Sequence, residues 1–226
     1  MKRAIFAAAL SIICGASMAA DIEEICLNSV DTELARGACF QASKKYYRLK
    51  DYRPAHRYAR RGAELGSAKA MYFLAELHDY SMHKINIAAG IVTDYEENSK
   101  KFDTYMAKAC DMGAGIACGR LGSSNVINSR YEGGAERLDK GLKQLKLGCK
   151  LKSAESCYYL ANTLGDIYRK IVRAKDSEGA KARAYLLDKY QKACKYGPVE
   201  RKDYGVLTSF PDYCAEYPGI MRRHEN

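Results

Sequence analysis

Cysteine is the residue type whose spacing says most about the chemistry open to this chain. Cys26 and Cys39, Cys110 and Cys118, Cys149 and Cys157, and Cys194 and Cys214 follow one another as close pairs, with a further Cys14 near the start. Thiols so placed can oxidise to disulfides, hold zinc, or stay reduced in a core. Zinc knuckles usually set their cysteines roughly two to four residues apart, and no histidine flanks these pairs. Structural disulfides are therefore expected, with no metal and no cofactor. Sequence proximity favours the pairings 26–39, 110–118, 149–157 and 194–214 out of roughly a hundred that eight cysteines allow. Two of the pairs enclose seven residues in the same setting: Cys110-Asp-Met-Gly-Ala-Gly-Ile-Ala-Cys118 and Cys149-Lys-Leu-Lys-Ser-Ala-Glu-Ser-Cys157. Residues eight apart on one helix stand about 12 Å apart along its axis, whereas a disulfide needs Cα atoms roughly 4.4–6.8 Å apart. Once bonded, each pair forces the chain to reverse and staples the end of one helix to the start of the next.

Disulfides require an oxidising compartment, and the N-terminus reads as a route to one. Met1-Lys2-Arg3 is a basic start, Ala4 to Cys14 is an apolar run, and Gly15 to Ala20 supplies small residues. This pattern is a secretory signal peptide over residues 1–19, cleaved after Ala19 or Ala20. Bulky Ile13 before Cys14 argues against acylation of that cysteine. No later apolar stretch is long enough for an integral membrane segment. The expected product is a periplasmic or secreted, monomeric protein, with residues 20–226 forming one domain. The leader holds Lys2 and Arg3 and no acid, so 35 of the 37 basic residues remain against 27 acidic ones. Such an excess suits acidic proteins, anionic lipid or cell-wall polymers; nucleic acid is not an expected partner, because no nucleic-acid motif is present.

Helices must position these residues. Leu138, Leu142, Leu145 and Cys149 recur at helical spacing, with Arg137, Lys140, Lys143 and Lys146 on the other side. Cys157, Leu160 and Leu164 make a matching stripe on the following segment. Helices are expected at about 32–49, from Pro54 to Gly66, and from Met71 to Tyr80, followed by a long connection over 81–98. One more then reaches Cys110, and others follow at 114–129, 135–151, 153–173 and 180–196. A capping segment is expected from about residue 198. Ala63-Glu-Leu-Gly-Ser-Ala-Lys-Ala-Met71 repeats the corner with Ala and Met in the cysteine positions, and a fourth corner is expected from Cys194. Corners at irregular spacings of this kind fit a helix-pair repeat with loop insertions.

Lys108-Ala-Cys-Asp-Met-Gly-Ala-Gly-Ile-Ala-Cys-Gly-Arg-Leu-Gly122 resembles the helix–corner–helix core of Sel1-like repeats in their cysteine-rich, secreted branch. Gly148 to Leu160 resembles it again, and Ala89-Gly-Ile-Val-Thr-Asp94 resembles the family's Gly-Val-x-x-Asp turn. The resemblance covers about Pro54 to Gly197. It implies an all-α, right-handed superhelical solenoid of helix-turn-helix repeats that works by binding another protein. Exported proteins of this family and size often serve as periplasmic immunity proteins against toxic effectors, and the basic charge would suit an acidic effector. A general envelope scaffold and a secreted host-interaction factor are the alternatives.

A penicillin-binding or β-lactamase-like activity is a further alternative, since the branch has been linked to penicillin-like compounds. Ser81-Met-His-Lys84, Ser123-Ser-Asn125 and Lys195-Tyr-Gly197 match the short elements of such enzymes. Patterns this short arise easily by chance, and no enzyme is expected. His78 and His83 are five residues apart, which does not place both on one helix face, so surface or capping roles are expected for them. The binding residues are sought instead at matched places on the first helices of three repeats. These are Tyr72 and Phe73, Gly119 and Arg120, and Tyr158 and Tyr159, followed by Glu76, Ser123 and Asn162. Tyr suits an interface because it joins an apolar body to a polar tip.

Overall fold

The computed structural model describes residues 22–131, 133–173, 175–204 and 212–214, and all the secondary structure among them is helical. The leader expected over 1–19, and residues 205–211 and 215–226 of the expected capping segment, lie outside the described residues. After α1 (22–28) come α2 (Thr32–Arg48), α3 (Tyr52–Glu64) and α4 (Ala68–Glu76). A 3₁₀ turn at Tyr80–Met82 then leads into α5 (His83–Ala88) and α6 (Tyr95–Asp111). The series continues with α7 (Gly115–Asn128), α8 (Gly134–Lys150), α9 (Ala154–Ile167), α10 (Arg169–Arg173) and α11 (Ser177–Tyr204). The chain divides into two compact units between Phe102 and Asp103, within α6.

Three corners are built the same way, bond for bond. Gly66, Gly113 and Lys152 take positive φ of 87°, 92° and 65°. Their N–H groups donate to the carbonyls of Ala63, Cys110 and Cys149 at 2.9, 2.9 and 3.1 Å. The next residues, Ser67, Ala114 and Ser153, donate to Gly62, Ala109 and Gly148 at 2.9, 2.8 and 3.0 Å. This pair of bonds satisfies carbonyls that the ending helix leaves open. Ser67 and Ser153 then cap the next helix, their hydroxyls accepting from Ala70 and Ser156 N–H. In the second and third corners a cysteine pair closes the reversal, with Cα–Cα distances of 4.7 and 4.5 Å. Cys26–Cys39 and Cys194–Cys214 are paired as well, at 4.6 and 4.8 Å, so all four pairings follow sequence proximity.

Two expected features give way. The connection over 81–98 is not irregular, because it holds the 3₁₀ turn, α5 and the start of α6. Its end resembles the turn read from sequence: Gly90 has φ +65°, and the Asp94 carboxylate accepts from Glu97 N–H at 2.8 Å at the start of α6. The corner expected from Cys194 is absent, since α11 runs through Pro198 to Tyr204. Proline deletes one helical hydrogen bond, but burial holds the helix together beyond it. Gly197 and Glu200 are buried, and Glu200 Oε2 accepts from Glu155 N–H at the start of α9.

In the first unit, Cys26, Cys39, Ala42 and Tyr58 form a core, and α1 is tied to α2 through Glu23. Its carboxylate accepts from Lys45 Nζ at 2.8 Å and from Tyr46 Oη at 2.9 Å, which raises the Tyr46 hydroxyl to about 12. The second unit has a larger core. Leu145, Cys157, Leu160, Leu164, Leu186 and Tyr190 are among its members. Here α7, α8 and α9 approach so closely that glycine is required at the crossings. A Cβ on Gly141 would stand 2.8 Å from the Gly122 carbonyl oxygen, and one on Gly122 would stand 2.9 Å from the Gly141 oxygen. A methyl group at either site must push backbone apart. Gly141→Ala should therefore lower stability by about 1–3 kcal/mol, the usual cost of overpacking. Gly37→Ala, in the middle of α2 with nothing within 4 Å of the added carbon, should instead raise it by about 0.5–1 kcal/mol. Urea melts of the two variants check this pair of opposite signs.

Candidate partner-binding groove

Ser123, Tyr158, Tyr159 and Asn162 come together in the second unit, lining a groove of about 650 Å³. The groove lies between α7 and α9, with Leu138 of α8 and Arg169 and Arg173 of α10 on its walls. Tyr158 and Tyr159 are neighbours in sequence, so their side chains diverge by a helical step. Their rings still meet edge to face at 5.5 Å. Tyr158 leans inward onto Tyr190 and Tyr213, at 6.1 and 5.1 Å, while Tyr159 is exposed. Tyr190 Oη donates to Asn162 Oδ1 at 2.7 Å, which fixes the amide and leaves its Nδ2 as a donor group. The Ser123 hydroxyl is turned back onto the Arg120 carbonyl at 3.0 Å.

The groove also holds residues that sequence reasoning missed. Val126, Ile127, Leu138 and Ile167 give it an apolar lining, and Arg130, Arg169 and Arg173 make it basic. Asp166 pairs with Arg169 at 3.0 Å. Ile127 and Ile167 are 54% and 44% exposed. In sequence they read as more core, and only their place off the buried face of each helix marks them as surface.

The remaining expected site residues lie elsewhere. Tyr72, Phe73 and Glu76 are almost wholly buried, at 0, 0 and 3% exposure, which corrects their expected place on an open face. Phe73 stands edge to face with Phe40 and Tyr47, at 5.8 and 5.9 Å. The rule that found them matched corners by sequence, but the matched position faces outward in α9 and inward in α4. Arg120 is half-buried, with Nε 3.8 Å from Glu155 Oε1, and does not line the groove. Gly119 packs against Ser156, whose Oγ would stand 2.5 Å from an added Cβ.

Ser81 donates its hydroxyl to Asp79 Oδ1 at 2.9 Å within the 3₁₀ turn. Asn125 bridges Gln144 at 2.7 Å and Arg137 at 3.4 Å. Among the described residues no group of three or more His, Cys, Asp and Glu could hold a metal ion. No described helix is long and apolar enough to cross a membrane.

His78 is buried, not on the surface, and so is His56. The two rings meet edge to face at 4.7 Å inside a closed network with Asn86 and Asn98. Asn86 Nδ2 donates to the Leu77 carbonyl at 2.7 Å and to Asn98 Oδ1 at 2.8 Å. Asn98 Nδ2 donates to the His78 carbonyl at 2.6 Å. Both amide oxygens are thus presented to imidazole, and His56 Nε2–H and His78 Nδ1–H donate to them at 3.2 and 2.9 Å. His83 does take the capping place expected of it, its Nδ1 lying 2.7 Å from the Tyr80 carbonyl.

No family model matches the chain, and no curated protein matches its sequence. What the fold itself defines is an all-helical protein with four cysteine pairs at disulfide distance. That many pairs is consistent with an oxidising compartment.

Burial depresses both imidazoles. His56 falls to about 3 through desolvation and then the nearby His78, and His78 falls to about 4, again chiefly through desolvation. The unfolded rings protonate near 6.5, so the unfolded chain gains protons first as pH drops. Stability from this network is complete above pH 6.5 and declines from there through pH 4 to about pH 3. The urea midpoint should accordingly fall between pH 7 and pH 5, where most carboxylates stay ionised. Either His56→Gln or His78→Gln should remove roughly half of that slope, whatever its effect on stability at pH 7.

Proposed function

We propose that this chain is an exported Sel1-like repeat protein that acts by binding another protein in the groove between α7 and α9. In its most specific form the role is that of a periplasmic immunity protein, which neutralises a secreted toxic effector by occupying it. The observation that carries the reading is the gathering of Ser123, Tyr158, Tyr159 and Asn162 around an apolar, arginine-bordered concavity. Three corners that share one pair of backbone hydrogen bonds support the repeat reading. The cysteine pairs support work outside the reducing cytoplasm.

The physics of the groove favours a protein partner. Aromatic side chains held by neighbouring rings lose little freedom on binding, so their buried area converts efficiently to affinity. Tyr159 is exposed at the rim while its neighbour Tyr158 is anchored on Tyr190 and Tyr213. Such a residue is placed to act as an anchor in a pocket of the partner. Arg130 and Arg173 add positive charge, which speeds the approach of an acidic surface and loses that effect as salt screens it.

The product of the adjacent gene, purified and titrated calorimetrically against this protein, is the direct test. Binding should weaken at least tenfold in Tyr159→Ala, matching about 1.4 kcal/mol or more for a hot-spot residue. Lys140→Glu, on the exposed side of α8, should change the salt dependence alone. Cells exposed to the effector in the periplasm should survive with the wild-type protein and die with Tyr159→Ala. A neighbouring product that is neither toxic nor bound removes the immunity reading.

A further inference from the structure

A second concavity, in the first unit and separate from the tyrosine groove, is lined by four arginines. Arg53, Arg57, Arg60 and Arg61 of α3 face it, with Leu27 at the end of α1 and the 89–91 turn opposite. Its volume is about 560 Å³, within the range that holds a small ligand or a headgroup. Arg53, Arg57 and Arg61 recur every fourth residue, so they form one stripe with steps of about 6 Å. None of the four forms an ion pair with a described Asp or Glu. Among the described residues, Glu64 is the only acid on the wall.

Two of the arginines are held in place by neutral groups. Arg53 Nε donates to the Ala89 carbonyl at 2.6 Å. Arg57 lies 4.8 Å above the Tyr58 ring and donates to Tyr58 Oη at 3.0 Å. These contacts orient the guanidinium groups without pairing them directly to a carboxylate. A buried histidine lies beneath the arginines. His56 lines the groove and is 4% exposed. Its Nε2–H is committed to Asn86, and its Nδ1 has no hydrogen-bond partner. Oriented guanidinium forks with no carboxylate paired to them are what a ligand carrying an oxyanion would satisfy.

The rim is apolar. Leu27, which is 43% exposed, and the half-buried Ile91 form its apolar part. A soluble phosphate has no use for this lip, whereas an amphiphile does. We propose that the arginine groove binds the phosphate of an anionic phospholipid headgroup, with Leu27 and Ile91 facing the adjoining acyl region. The two free oxygens of a phosphodiester match a guanidinium fork. Binding of this kind is peripheral and combines charge with a few apolar contacts. It would hold the protein at a bilayer surface independently of whatever occupies the tyrosine groove.

Vesicle co-sedimentation of the purified protein tests this. Vesicles with roughly one-third phosphatidylglycerol in phosphatidylcholine should bind at least tenfold more tightly than phosphatidylcholine alone. Arg57→Gln with Arg61→Gln should lose most of that preference. Lys140→Gln with Lys146→Gln, which removes the same charge from exposed positions on α8, should change it less than twofold. Arg57→Lys with Arg61→Lys keeps the charge and the packing stem, yet should still weaken binding several-fold because the fork is lost. Leu27→Ser should reduce vesicle binding while leaving affinity for soluble glycerol 3-phosphate unchanged. Melting curves confirm that each variant is folded. The proposal is overturned if wild-type protein does not discriminate between the vesicles, or if the α8 pair loses as much as the α3 pair. It is equally overturned if glycerol 3-phosphate or a polyglutamate peptide binds and the vesicles do not.

Discussion

The two cysteine-closed corners have seven residues between their cysteines in which to end a helix, turn, and begin another. Everything that the helices carry depends on how that reversal is made. A residue in the left-handed region allows two successive N–H groups to reach back to the open carbonyls, and the same hydrogen bonds recur at Gly66, Gly113 and Lys152. Lys152 adopts a conformation that glycine takes without cost and lysine does not, so the fold imposes the turn on this residue. The Cys149–Cys157 bond at that corner closes a loop of chain that would otherwise gain entropy on opening. Covalent closure and strained backbone thus sit together, and the first holds the second.

Close helix approach follows from those reversals. With α8 and α9 joined by a tight corner, the backbones of α7, α8 and α9 meet at Gly115, Gly119, Gly122, Gly141 and Gly148, where an added Cβ would touch backbone or Ser156. Small residues at the crossings leave the longer side chains of α7 and α9 to stand along the margins. That is how Ile127, Tyr159 and Ile167 come to remain exposed beside a groove. The groove is a by-product of packing that is tight on one side and open on the other.

The two units handle polar burial differently. In the first, His56, His78, Asn86 and Asn98 exchange hydrogen bonds in a neutral network, which keeps both rings uncharged in a dry site. Positive charge gathers next to it on α3, where Arg60 adds to the forces that hold His56 neutral. In the second, Glu200 accepts at the N-terminus of α9, a place where the helix dipole favours an acceptor carboxylate. Its burial still raises its proton affinity. Both devices use the backbone as a partner, so neither leaves a motif that spacing could reveal.

The helical class, the cysteine pairs and the corner positions were legible in the sequence because they are local. Helical periodicity is a property of a few turns, and a disulfide across seven intervening residues admits only a reversal. The same locality explains the failures. A corner read at Cys194 from its resemblance to Cys110 and Cys149 does not form, because Glu200 and Gly197 are buried against α9 and the capping residues and hold α11 straight through Pro198. Of the expected binding residues, Ser123, Tyr158, Tyr159 and Asn162 share one groove, whereas Tyr72, Phe73 and Glu76 are interior. Matching positions in a repeat fixes where a side chain leaves its own helix. Whether water, a ring or another helix stands opposite is decided by residues far away in the chain, and only the tertiary packing brings those into place.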